Sequence, residues 1–194
     1  MSAAINHLTP KGGPIMKKEK AYTKLFENLI RKRGWGFRQA SKHEDMFDHI
    51  DCHVTVMNGS KAVRVCSIDL KGTKYTSRLN EGVTEFMCQY IEFLNVNGDL
   101  GWLFGKAEYI AVLDENEERF YLIKRKTLIT FCEKMFKVEL SGTAEEIEEK
   151  LMNVATWVQR ADLSHHQLYR RWKRLDIVTQ ISMDEVKELA TIII

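Results

Sequence analysis

The sequence has few of the features that cross-link a chain or anchor it in a membrane, and each absence excludes a class of protein. Its four cysteines, Cys52, Cys66, Cys88 and Cys132, form no Cys-x-x-Cys pair, which argues against a disulfide framework and a structural zinc site. We expect buried, reduced thiols instead. No stretch approaches 18 consecutive apolar residues, so we expect no membrane contact and a cytoplasmic protein, in the host-cell cytoplasm if the chain is viral.

Proline and glycine-rich motifs are also scarce. Both prolines, Pro10 and Pro14, lie near the N-terminus, where they predict a flexible arm over residues 1 to 16. Neither a Rossmann glycine fingerprint nor a glycine-rich phosphate loop occurs, so nucleotide-dependent chemistry is not indicated. The net charge is only +2, and the overall balance therefore does not by itself indicate a nucleic-acid-binding protein.

A pair of neighbouring strands with charged ends is the strongest positive signal. Residues 53 to 57 and 63 to 68 are rich in β-branched side chains, and Asn58-Gly59 between them predicts a hairpin turn. Asp51 begins the first strand, and Asp69-Leu70-Lys71-Gly72 ends the second. Because side chains alternate along a strand, Asp69 and Lys71 are predicted to share one face.

Those residue types suit phosphodiester hydrolysis. Asp51 and Asp69 could hold a hard divalent cation, which polarises the phosphate and activates a water. Lys71 could position that water or neutralise charge that develops on the phosphate. Acid-x-Lys also occurs at residues 148 to 150 and 185 to 187, in helical segments where such spacing is typical of a solvated face. The alternative interpretation of residues 69 to 71 is a strand that simply ends in a charged turn.

The run from Glu27 through Asp51 to Asp69-Leu70-Lys71 resembles the PD-(D/E)xK nuclease superfamily, which includes restriction endonucleases, Holliday-junction resolvases and phage exonucleases. The resemblance covers residues 18 to 136. It departs from the usual pattern at Ile50, where a proline often stands, and in having Asp rather than Glu as the second acid.

The resemblance implies an α/β (α+β) fold with a restriction-endonuclease-like mixed β-sheet core flanked by helices. We expect the nuclease-like core to span residues 17 to 140. A C-terminal extension of helices and strands, residues 141 to 194, is expected to pack on that core.

The resemblance also assigns roles to single residues. It implies that Asp51 and Asp69 are the metal ligands for Mg²⁺ or Mn²⁺ and that Lys71 is the catalytic lysine. Glu27, on the first helix, would touch the metal through water, although a solvated helix acid remains the alternative. Gln89 would line the cleft as a polar residue on a following helix.

Periodicity predicts the remaining elements. The expected helices lie over residues 17 to 33, 81 to 94, 126 to 136 and 183 to 190, with a further amphipathic helix after Thr143, and the expected strands over 107 to 113, 119 to 123 and 175 to 182. Alternation of His49, Asp51 and His53 along one strand also allows a transition-metal site.

A basic cluster, Arg170, Arg171, Trp172, Lys173 and Arg174, indicates a surface for DNA, with guanidinium groups on phosphates and an indole stacked on a base. Ordinary charged surface is the alternative, as is packing of Trp172 on the core.

The sequence thus predicts a metal-dependent DNA nuclease. The competing hypotheses are a catalytically inactive nuclease-fold module of a phage or mobile element and a plain α+β interaction domain. The apolar end of the chain, residues 192 to 194, would pack on the core or form a homodimer or protein contact.

Overall fold

The computed structural model describes residues 15–78, 83–154, 157, 166–170 and 175–194, and it has a mixed α+β architecture, as the sequence predicts. The helices are α1 (Ile15–Lys32), α2 (Lys42–Asp48), α3 (Arg125–Phe136), α4 (Ala144–Met152) and α5 (Met183–Leu189), with a 3₁₀ helix at Trp102–Phe104. The strands are β1 (Gly36–Gln39), β2 (Cys52–Asn58), β3 (Lys61–Gly72), β4 (Lys74–Arg78), β5 (Val83–Leu94), β6 (Tyr109–Asp114), β7 (Arg119–Lys124), β8 (Tyr169–Arg170), β9 (Ile177–Ser182) and β10 (Ile192–Ile193).

The strands form two sheets. The larger sheet has the order β1-β2-β3-β6-β7-β10 and the smaller one β4-β5-β9-β8. In the larger sheet β3 and β6 run parallel, while its other neighbours pair antiparallel. Thr73 alone separates β3 from β4, so the chain passes directly from one sheet into the other.

Strands β6 and β7 of the larger sheet are buried on both faces, whereas Val63 and Val65 of β3 are exposed. On one face α1 inserts Phe26 and Ile30 against Cys52 and Ile68. On the other face, the 3₁₀ helix, α3 and the smaller sheet pack around alternate side chains of β6 and β7. Because Cys52 and Ile68 point toward α1, the strand alternation directs Asp69, together with any side chain that flanks Cys52, to the face opposite α1.

The predicted helix over residues 81 to 94 is wrong, because residues 83 to 94 form strand β5. This strand pairs with β4 on one side and with β9 on the other. Side chains on both of its faces are buried, among them Cys88, Ile91 and Phe93. A strand buried on both faces loses its polar alternation, and its apolar spacing can then imitate that of a helix.

The predicted alternation of His49, Asp51 and His53 along one strand is also wrong. Ser41 and Glu44 form a reciprocal capping box that starts α2, an element that the sequence analysis missed. His49 ends this helix in the left-handed conformation with φ 52°, and β2 begins only at Cys52. His53 does lie on β2, where its ring contacts Glu44 at 2.8 Å.

Several local predictions are confirmed. The predicted hairpin joins β2 to β3, with Gly59 and Ser60 as its turn residues. Thr143 caps α4 through a capping box, and all four cysteines are buried. The apolar C-terminus packs on the core, since β10 pairs with β7 and Ile194 is buried. No helix in the described ranges is long and apolar enough to cross a membrane.

Gly72, at the end of β3, fixes how closely α1 approaches the larger sheet. A Cβ atom at this position would overlap Cε2 of Tyr22, so the Tyr22 ring, the helix or the strand would have to shift. We expect Gly72→Ala to lower the free energy of unfolding by about 1–3 kcal/mol. Urea unfolding measures this cost. Removing the ring in Tyr22→Ala should make the same glycine substitution much cheaper, and equal costs in both backgrounds would contradict the steric explanation.

Candidate active site

Asp51 lies directly before β2, beside the part of β3 that carries Asp69. Cys52, the first residue of β2, pairs with Ile68 of β3. The Asp51 N–H donates to the Ile68 carbonyl at 2.8 Å, and the Leu70 N–H donates to Oδ2 of Asp51 at 2.5 Å. Backbone hydrogen bonds therefore hold the first carboxylate beside the second.

Lys71 and Asp69 lie on the same face of β3, in agreement with the predicted alternation. The Nζ of Lys71 lies 2.7 Å from Oδ1 of Asp69. The same ammonium group lies 5.0 Å from the centre of the Trp102 ring, a geometry that favours a cation over the ring face. Both contacts restrict the lysine to the neighbourhood of the two carboxylates.

Arg125 is a member of this site that the sequence analysis missed. Its Nη2 lies 3.2 Å from Oδ2 of Asp69, its Nε donates to the Ala107 carbonyl at 2.7 Å, and its Nη1 donates to the Trp102 carbonyl. The side chain is buried, and this burial lowers its pKa while the Asp69 charge opposes the shift. Between Lys124 and Lys126 the residue looks like ordinary solvated charge, so no sequence signal distinguishes it.

Burial and like charge act together on Asp51. Burial raises the pKa of its carboxyl group from 3.8 to about 7, and the negative charge of Asp69 adds to the shift. The Leu70 N–H and the Lys71 charge oppose it without cancelling it. Burial also lowers the pKa of the neighbouring His49 imidazole. The site therefore holds a carboxyl group that exchanges a proton near neutral pH.

Gln89 lies on β5 rather than on a helix, and the strand register relates it to the site. Lys74 pairs with Cys88, so one step further Gln89 faces Thr73, two residues beyond Lys71. Both side chains are buried. Their oxygens, Oε1 of Gln89 and Oγ1 of Thr73, have no hydrogen-bond partner among the described residues, whereas Nε2 of Gln89 donates to the Tyr90 carbonyl.

Glu27 is not brought to the two aspartates. Its carboxylate pairs with Lys24 at 3.2 Å and with Arg31 at 2.8 Å, and these hydrogen bonds lower its pKa. The apolar stripe of α1 packs against the opposite face of the sheet from Asp69. The position agrees with the alternative interpretation, a solvated helix acid.

The predicted basic cluster is only partly described. Arg170 lies on β8, and its guanidinium contacts Glu148 at 2.6 Å and the Trp157 ring at 5.9 Å. Arg171, Trp172, Lys173 and Arg174 lie outside the described residues. Among the five residues of the cluster, only Arg170 is described, and its charge is balanced by Glu148. This pairing weakens the prediction that Arg170 binds phosphate.

The carboxylate pair suits a hard divalent cation with few protein ligands. No group of three or more His, Cys, Asp or Glu side chains converges as a metal cage within the described ranges. Mg²⁺, however, commonly takes one or two carboxylates, keeps several waters and completes its shell with substrate phosphates. A cation between Asp51 and Asp69 would also relieve the repulsion that raises the pKa of Asp51, so the residues present fit such an ion.

The raised pKa of Asp51 predicts a pH-dependent stability difference. Between pH 4 and pH 8 the unfolded chain releases this proton near the ordinary value of 3.8, but the folded chain retains it up to about pH 7. The contribution of Asp51 to wild-type stability should therefore fall across this window. Asp51→Asn keeps an acceptor for the Leu70 N–H and cannot ionise, so its advantage in free energy of unfolding should grow by about 4 kcal/mol from pH 4 to pH 8. Urea unfolding at both pH values tests this, with the exposed Asp99→Asn as control, and a pH-independent difference would contradict it.

Comparisons with known proteins identify no family for the chain. No family model matches the chain, and no curated protein matches its sequence. The fold is similar to that of a bacterial homing endonuclease of known structure, with 12% identity and a TM-score of 0.45, over 61% of this chain and 74% of that chain.

Proposed function

We propose that this chain is a metal-dependent nuclease that hydrolyses DNA phosphodiester bonds at Asp51, Asp69 and Lys71. The observation that carries the proposal is the proximity of two carboxylates, one of which accepts from the Leu70 N–H next to Asp69, with an ammonium group 2.7 Å from the Asp69 carboxylate. These are the charged groups that phosphodiester hydrolysis requires.

Asp51 and Asp69 would hold Mg²⁺, or Mn²⁺ in its place. Bound there, the cation would supply Lewis-acid polarisation of the phosphate and a lowered pKa for the attacking water. Asp51 must lose its proton to act as a ligand, because a neutral carboxyl group is a poor donor for a hard cation. The carboxylate pair therefore sets a lower limit to the working pH.

Lys71 places positive charge where a phosphate would bind. An ammonium group has three donors, and the contact with Asp69 uses one of them, which leaves the others for a phosphate oxygen or the attacking water. The Trp102 ring limits where the ammonium can move. Preorganised charge of this kind stabilises a developing negative charge without reorganisation during the reaction.

Arg125 acts in this scheme as a positioning residue. It holds Oδ2 of Asp69 while two backbone carbonyls, those of Ala107 and Trp102, fix its own guanidinium. Its positive charge offsets the cost of burying an ionised Asp69. Removal of Asp69 would leave the buried guanidinium without its carboxylate partner, and removal of Arg125 would leave Asp69 with Lys71 alone.

Asp51→Asn provides the clearest test of the nuclease. We expect the variant to fold, to be more stable than wild type at pH 8, and to lose at least a hundredfold of its DNA cleavage with Mg²⁺ or Mn²⁺, because an amide is a much weaker ligand than a carboxylate. Nicking of supercoiled plasmid measures the rate. Asp99→Asn, at an exposed turn, should cleave like wild type, and full activity in Asp51→Asn would remove the proposed site.

A second function is favoured by the pairing of Asp69. Both of its oxygens already contact cations of the chain, Lys71 and Arg125, so the charge is balanced without a metal ion. A fold of this kind can serve as a nucleic-acid-binding or assembly module that does not cleave its partner. In that case the charged residues would stabilise the joint between the two sheets and do nothing more.

Metal titration distinguishes the two functions. For the nuclease, calorimetry should detect Mn²⁺ binding, and the affinity should rise about tenfold per pH unit up to pH 7 and level off above it, because the ion displaces one proton from Asp51. Asp51→Asn should abolish both the binding and its pH dependence. Absence of Mn²⁺ binding by the wild-type chain at pH 6 and at pH 8 would favour the inactive module.

A further inference from the structure

A groove rich in lysine runs along helix α3 beside the candidate site. We call it the lysine groove. It is lined by the side chains of Lys124, Lys126, Thr127, Thr130, Phe131, Lys134 and Leu189. Phe131 and Leu189 provide apolar surface, while the three lysines are exposed to solvent.

The charge of the lysine groove is not balanced by neighbouring acids. Within the described ranges, none of its three ammonium groups forms an ion pair with a carboxylate. Glu133 accepts instead from the Leu140 N–H at 3.1 Å, and Glu185 accepts from Ser182 and contacts His166. Glu188, next to Leu189, is exposed. The three lysines of the groove thus have no carboxylate partner among the described residues, and the first turn of α3 contains no acid that would offset its helix dipole.

The lysine groove and the candidate site both include residues from the start of α3. Arg125 directs its side chain inward to Asp69, while Lys124 and Lys126 on either side of it point to the groove. In the larger sheet, Lys124 pairs with Tyr109, and Tyr109 pairs with Ile68. Lys124, at one end of the groove, therefore lies two strands away from Asp69 at a similar height along the strands. Measured across the strands, this separation is about 10 Å.

We propose that the lysine groove binds the sugar-phosphate backbone of the DNA and directs it to Asp51 and Asp69. Lys126 and Lys134 are eight residues apart on α3 and so are separated by about 12 Å along its axis. One strand of B-DNA carries about three phosphates over that length. The groove holds only lysines and threonines as polar groups, which suit phosphate contact and do not indicate reading of base edges. The identification of the ligand as DNA rests on the proposed function. The inference that the groove binds an anionic polymer rests on its lysines alone.

DNA binding in the presence of EDTA tests this surface independently of cleavage. Fluorescence anisotropy with a labelled 20-base-pair duplex at several salt concentrations gives the slope of log affinity against log salt. We expect Lys126→Gln/Lys134→Gln to weaken binding at low salt by about tenfold or more and to make the slope shallower by about 2, since two fewer counterions are released. The loss should be similar for duplexes of different sequence.

The matched control is Lys42→Gln/Lys61→Gln, which removes two exposed lysines elsewhere on the surface. An equal loss in this control, or an unchanged salt slope in the groove variant, would overturn the proposal. So would tighter binding of a polyglutamate peptide than of DNA, which would identify an acidic protein as the partner. If the groove variant loses DNA binding but the wild-type chain binds no Mn²⁺, the surface is supported while the nuclease is not.

Discussion

The buried charge of Asp69 is the constraint on which the rest of this structure depends. An ionised carboxylate away from water is stable only when it is paired and hydrogen-bonded, and Lys71 and Arg125 supply that pairing, each at a different carboxylate oxygen. Arg125 in turn reaches the Ala107 and Trp102 carbonyls. A single side chain thereby ties the end of β3 to the 3₁₀ helix, to the segment before β6 and to the start of α3.

That arrangement leaves the charge of Asp51 poorly accommodated. Asp69 holds both nearby cations, and burial together with its negative charge raises the pKa of Asp51 to about 7. Such a residue lowers stability at high pH and gains most from a divalent cation. The conflict between stability and charge at this one position is what a functional site commonly shows, and it is the physical reason for preferring a metal-binding function to a purely structural role.

The passage of β3 into β4 gives the site its surroundings. Because only Thr73 lies between these strands, the face that carries Asp69 and Lys71 continues toward the second sheet, where the register sets Gln89 opposite Thr73. On the other side, β6 and β7 bring α3 to the same level of the sheet. The buried polar residues Thr73 and Gln89 thus lie on one side of the two aspartates, and the lysine groove lies on the other.

The sequence alone determined the features that depend on neighbours along the chain. Alternation on β3 placed Asp69 and Lys71 on one face, the turn signal next to Gly59 marked the hairpin, and Thr143 capped its helix. Only the tertiary structure decided that Arg125 is buried against Asp69, that residues 83 to 94 form a strand between two others, and that Arg170 pairs with Glu148. These outcomes depend on residues distant in sequence, because burial and charge pairing are set by which segments the fold brings together, whereas strand alternation, turns and caps are set within a few residues.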